Sequence, residues 1–206
     1  MVLSSDFSWL KGLLATVGDT IFAEEFTAKL SGFNEIGSIS ATGYTGAVLS
    51  DGKGTAKLDL DKKAGTVNYM LAYSNVGSTP PQTGTVSQAH IHFGKSRDSG
   101  GILVFFCTNI ALPPTFTGPT PQACPTNSGT VSGTWTKADV QVITGQNVVA
   151  GDFDALEDAL ESNTAYANVH TIPLPGATNT AYPGGEIRGQ VHIVKEGEKE
   201  QHDRGN

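Results

Sequence analysis

The sequence predicts an all-β protein, an antiparallel β-sandwich of about seven to nine strands with one short helix. Three observations point there. Short segments alternate apolar and polar side chains, the period of a strand with one buried face. Charged residues are only 16% of the chain while 25 of its 206 residues are glycine, a balance that suits many turns. Asp51-Gly52 and Lys62 to Gly65 fall between consecutive alternating runs, where hairpin connections belong.

The formal net charge of −7 argues against nucleic acid or an anionic membrane surface as a partner, and it does not repel cations. No run of about 18 apolar residues is present, so no membrane-spanning helix is expected. Residues 1–24 form an N-terminal segment. Ser4 or Ser5 would cap a short amphipathic helix over residues 4–17, with Phe7, Leu10, Leu13, Leu14 and Val17 along one stripe. Two readings compete for it: a helix that docks on the domain or on a protein partner, self-assembly included, and the remnant of a leader. Asp6 and Asp19 interrupt the apolar stretch and no basic region precedes it, so it is a poor signal peptide. A mature form or a trimmed chain would look like this.

The β domain starts at about residue 25 and runs to 195. Glu25 to Leu30 alternates cleanly, Ser31 to Glu35 is a turn, and Thr42–Leu49, Gly54–Leu60 and Thr66–Tyr73 read as strands. In the last of these, Val67, Tyr69, Leu71 and Tyr73 mark one face. A Pro/Gly/Ser/Thr loop over 75–84 leads to the strand Val86–Gly94, and a polar turn follows. The apolar run Gly101–Cys107 suits a central strand buried on both faces. Cys107 and Cys124 are the only cysteines and flank a loop holding Pro113, Pro114, Pro119 and Pro121. Without a Cys-x-x-Cys spacing, a disulfide is the simplest reading, and it implies an oxidising compartment, extracellular or periplasmic. The alternative is two free buried thiols.

Gly129–Thr136 places Val131, Gly133 and Trp135 on one face. Asp152 caps a helix near 153–162, in which Phe153, Leu156, Ala159 and Leu160 repeat at helical spacing and Asp154, Glu157 and Asp158 favour the N-terminal half. Thr164–Thr171 is a second alternating strand. Glu186–Val194 is the last, with Ile187, Val191 and Ile193 facing inward. The polar tail, residues 196–206, reads as disordered.

The histidines carry the chemistry. Three strands present polar sets on the face away from the apolar one: Gln88/His90/His92, Tyr166/Asn168/His170, and Arg188/Gln190/His192 with Glu186. Four of the five histidines lie in them. His90 and His92, at i and i+2 of one strand, can offer two imidazoles to one metal ion, and histidine is the commonest metal ligand. The bland reading, polar residues on an outward strand face, holds for many isolated His-x-His pairs. Adding His170 gives three nitrogen ligands, which suit copper or zinc; the carboxylate cluster that calcium needs is missing. Asn168 or Gln190 would orient a ligand histidine. Trp9 and Trp135 read as packing residues. Acyl chemistry lacks its Gly-x-Ser-x-Gly or Cys/His setting, and the acidic helix lacks calcium-loop spacing.

Phe26-Thr-Ala-Lys-Leu-Ser-Gly-Phe-Asn-Glu35, Ala89-His-Ile-His-Phe-Gly94, Tyr166-Ala-Asn-Val-His-Thr171 and Pro183-Gly-Gly-Glu-Ile-Arg-Gly-Gln-Val191 resemble, in order, the signature blocks of the CHRD (chordin-type) domain. The Phe-Cys-Thr-Asn to Ala-Cys-Pro insertion is similar to that of a secreted microbial subgroup. The resemblance implies a secreted protein and a Greek-key sandwich, immunoglobulin- or superoxide-dismutase-like, over about residues 25–195. At the level of the site, His90, His92, His170 and Arg188 are also similar to the copper ligands and anion-guiding arginine of Cu,Zn superoxide dismutases, although no zinc-loop cluster is evident. Two functions follow: an extracellular binding or assembly module, in which the histidines either hold a metal ion or form with Glu186 and Arg188 a hydrogen-bonded network that ties strand ends together, or a copper enzyme in which Arg188 draws a small anion such as superoxide.

Overall fold

A computed structural model describes residues 23–36, 46–78, 84–172, 182 and 184–195. The expected N-terminal helix, the expected disordered tail and residues 42–45 of the expected 42–49 strand lie outside them; residues 46–49 within them are not strand. In chain order the elements are β1 (Glu24–Ser31), β2 (Lys53–Asp61), β3 (Thr66–Ser74), β4 (Thr85–Phe93), β5 (Ile102–Thr108), β6 (Gly129–Trp135), α1 (Phe153–Glu161), β7 (Ala165–Ile172), β8 (Ile187–Gln190) and β9 (His192–Ile193).

The strands hydrogen-bond in the order β5-β4-β7-β8-β1-β2-β3-β6, with β9 beside β1, and every ladder between these strands is antiparallel. One sheet therefore curls into a nearly closed, sandwich-like shell. Its two ends meet side to side. The Trp135 indole N–H of β6 donates to the Phe105 carbonyl of β5 at 2.8 Å, and the Tyr69 ring stacks on Trp135 with centroids 4.2 Å apart. Cys107 and Cys124 form the expected disulfide, fastening the proline-rich loop to β5. The apolar β5 is buried as its composition predicts, yet it is an end strand of the hydrogen-bond order rather than a central one. The disulfide loop and the opposite end of the sheet cover it.

Alternation places the core. Phe26, Leu58, Leu71, Ile91, Phe106 and Leu156 are all essentially inaccessible, and burying each such side chain contributes about 1.5–3 kcal/mol. The helix forms where expected. The Asp152 side chain accepts from the Ala155 N–H, and Leu156, Ala159 and Leu160 turn inward. Lys62, in the β2–β3 turn, reaches Glu24, Glu157 and Glu161 and ties the helix to the sheet. The last predicted strand breaks at Val191 into β8 and β9. Val191 is buried, but Ile193 is half exposed, against the expected inward face.

Candidate metal centre

Two neighbouring strands build the histidine cluster. In the β4–β7 ladder Gln88 pairs with His170, His90 with Asn168 and His92 with Tyr166. His170 thus sits diagonally from His90, on the same face. The ring centroids are 4.8 Å apart for His90–His170, 5.7 Å for His92–His170 and 5.3 Å for His90–His92. One ligand atom from each of the three lies within 4.8 Å of the others. Among the described residues no other group of three or more His, Cys, Asp or Glu side chains is so placed. His192, on β9, is exposed and stands apart from the cluster.

The expectation that this face points outward is corrected. His90 is 1% exposed, and His92 and His170 are 8% exposed. Phe105 packs edge-on against the His90 ring, and Phe116 of the disulfide loop covers Phe105. The turn 94–101 closes over His92. Polar alternation marks a second side of the strand but does not say whether loops roof it.

Burial sets the protonation. The His90 imidazole is held well below the usual histidine range, first by desolvation and then by the neighbouring His170 and His92 rings. His92 is pushed down to about 3, again mainly by burial, with His170 adding to it and the Gly100 carbonyl opposing. Both are therefore neutral at ordinary pH, the state in which an imidazole offers a lone pair. His92 Nδ1 lies 2.9 Å from the Gly100 carbonyl oxygen. A carbonyl only accepts, so Nδ1 carries the proton and Nε2 keeps the lone pair facing the cluster.

Asn168 and Gln190, the residues expected to orient a ligand histidine, do not contact the His92 ring nitrogen. Gln190 instead donates to the Gly94 and Asn163 carbonyls, and Asn168 is engaged with the Glu35 carboxyl. A backbone carbonyl leaves no trace in residue identity. The Gly100-Gly101 pair was the available signal, since a Cβ on Gly100 would fall 1.7 Å from the Phe93 carbonyl oxygen.

Three imidazoles fit copper or zinc. Both nitrogens of His90 and Nε2 of His92 are buried and make no hydrogen bond, an arrangement that costs about 1–3 kcal/mol per unmet group. A cation accepting the one lone pair that each neutral ring offers would remove part of that cost. The span of the donors is one that bonds of about 2.0–2.1 Å can close with small side-chain rotations.

Arg188 stands beside this centre rather than in it. Its guanidinium carbon lies 3.4 Å from the centroid of the Tyr166 ring, and the other partner of that ring is His92, stacked with centroids 4.8 Å apart and planes 3° from parallel. Arg188 Nη2 donates to the Lys95 and Asp98 carbonyls at 2.9 Å each. It is 2% exposed. Two buried carboxyls flank the layer. Glu186 accepts from the Gly77 N–H and the Ser50 and Thr171 hydroxyls. Glu35 is raised to about 8 by burial, against the pull of Arg188 and Asn168. Glu35 carries no signal of this role in the sequence, because it sits in the Phe-Asn-Glu turn, where a carboxylate is ordinarily solvated.

The curled antiparallel shell encloses a buried cluster of three histidines that could hold a metal ion. The CHRD domain model matches residues 26–191, most of the chain, and the chain belongs to the CHRD domain family. No curated protein matches it.

Proposed function

We propose that this chain is a secreted CHRD module that holds one transition-metal ion, copper or zinc, through His90, His92 and His170. The buried, unpartnered nitrogens of His90 and His92 carry this reading. Two of the ligands share one strand and the third lies on its ladder neighbour, so little entropy is lost in organising them. The disulfide supports an oxidising compartment. Three protein ligands leave a further coordination position, and copper bound there would supply one-electron chemistry.

Roofing by Phe105 and Phe116, and the engagement of Arg188 with two carbonyls and Tyr166, favour a module over a superoxide-consuming enzyme. Arg188 in this reading is a positioning residue that braces the 95–98 turn and Tyr166 against His92. The test is elemental analysis and calorimetric titration of untagged protein with copper and zinc. One ion per chain, lost in His90→Ala, His92→Ala and His170→Ala, is the expected result. Failure of both metals to bind wild-type protein stoichiometrically overturns the reading.

A further inference from the structure

The three histidines offer a bound ion a setting poor in negative charge. Among the described residues no carboxylate or thiolate joins their cluster, so imidazoles alone would face the ion. Asn168, on the same face, is turned toward Glu35 and Gly185, and the Tyr166 hydroxyl accepts from the Gly100 N–H at 3.2 Å. The full charge that packs against this layer is positive. It is the Arg188 guanidinium, which lies on the Tyr166 ring on which His92 also stacks.

Charge is therefore what the site tolerates least. Moving an ion from water into a low-dielectric interior costs free energy that grows as the square of its charge, so a divalent ion costs about four times as much as a monovalent one. Its repulsion from Arg188 is about twice as large as well.

Coordination points the same way. Bound zinc is almost always four-coordinate, and cupric copper favours square-planar or tetragonal surroundings. Both need a ligand besides three imidazoles, and water is the usual one. Here His90 Nδ1 and Nε2, His92 Nε2 and His170 Nε2 are all shut off from solvent. The Phe105 ring packs edge-on against His90 with centroids 4.5 Å apart. Cuprous copper has a filled d shell, imposes little geometry of its own and accepts a low coordination number.

We propose that the His90/His92/His170 site is selective for monovalent copper, held by three imidazole nitrogens without a bound water. This rests on the histidine site proposed above and names its ion. Copper held there resists oxidation, because the divalent state lacks both a further ligand and a counter-charge. Such a site suits a module that stores or passes on reduced copper rather than one that cycles it.

The test is anaerobic titration of the untagged full chain with Cu(I) against a chromophoric Cu(I) chelator, beside calorimetric titrations with Cu(II) and Zn(II). Cu(I) should bind at one ion per chain and about a hundredfold or more tighter than Cu(II). At about 59 mV per tenfold for one electron, that raises the copper potential by about 120 mV over the aqueous couple. X-ray absorption of the Cu(I) form should show three nitrogen neighbours and no further light atom. Phe105→Ala, which makes room for water, should narrow the preference for Cu(I) over Cu(II) by about tenfold; if that variant does not fold, the coordination number of the wild-type Cu(I) form decides. Zn(II) or Cu(II) bound as tightly as Cu(I), a fourth ligand on Cu(I), or an unchanged preference in folded Phe105→Ala would overturn the proposal and leave the histidine site standing. Failure of all three ions to bind would overturn both.

Discussion

His92 Nδ1 lies 2.9 Å from the Gly100 carbonyl oxygen, so the ring is a fixed tautomer. Nitrogen chemical shifts of metal-free protein at neutral pH should show Nδ1 protonated and Nε2 bare. A protonated Nε2 would mean that the ring is not held ready for a cation.

Because His90 is buried with both ring nitrogens unpartnered, His90→Leu should have opposite effects on the two forms of the protein. It should abolish metal uptake yet stabilise the metal-free protein by about 1–2 kcal/mol, since an apolar side chain replaces unmet polar atoms. Urea denaturation with chelator measures the second effect. A destabilised metal-free variant would show that His90 is a satisfied core residue.

Glu35 gives a pH dependence whose sign is fixed. Its folded-state value of about 8 lies above the ordinary 4.5, so the folded chain binds more protons between those values. The contribution is present below pH 4.5 and is lost as pH rises toward 8, by up to about 1.4 kcal/mol per pH unit. Glu35→Gln should flatten this slope and raise stability at pH 8. Parallel pH–stability curves for variant and wild type would count against it.

Arg188 bridges the Lys95 and Asp98 carbonyls and offsets the Glu35 carboxyl. Arg188→Ala should spare metal stoichiometry but cost about 3 kcal/mol or more of stability, the scale for breaking one member of a buried charged set. An unchanged melting temperature would place the guanidinium outside the structural frame.

Reduction of the Cys107–Cys124 bond, or Cys107→Ser with Cys124→Ser, should cost roughly 3 kcal/mol on the chain-entropy model. Denaturation with and without reductant gives the number, and equal midpoints would refute it.

Much of this was legible in the residues. Period-two alternation in Val67–Tyr73 and around His90–His92 located strands, and Asp152 located the helix start. Repetition of the polar sets picked out His90, His92 and His170 before any geometry. What failed shares one cause: a sequence states which side of a strand a residue takes, not what later covers that side. Burial of the histidines depends on how the 94–101 turn folds back over β4 and on Phe116, which comes from the disulfide loop. The end position of β5 depends on sheet closure, and closure is fixed by Trp135 meeting Phe105 across 30 residues. Ile193 misled because β9 is only two residues long and projects beyond the core.

The position of β1 bears on how the chain reaches its native state. β1 lies between β2, its sequence neighbour, and β8, which begins at Ile187. Until β8 arrives, one edge of β1 and the facing edge of β7 remain unpaired, and nearly the whole domain must be made before the shell can close. Such long-range pairing is slow, and open edges invite association between chains. A chain truncated before Ile187 should therefore aggregate rather than fold, because the edges that β8 bridges would stay open to other chains.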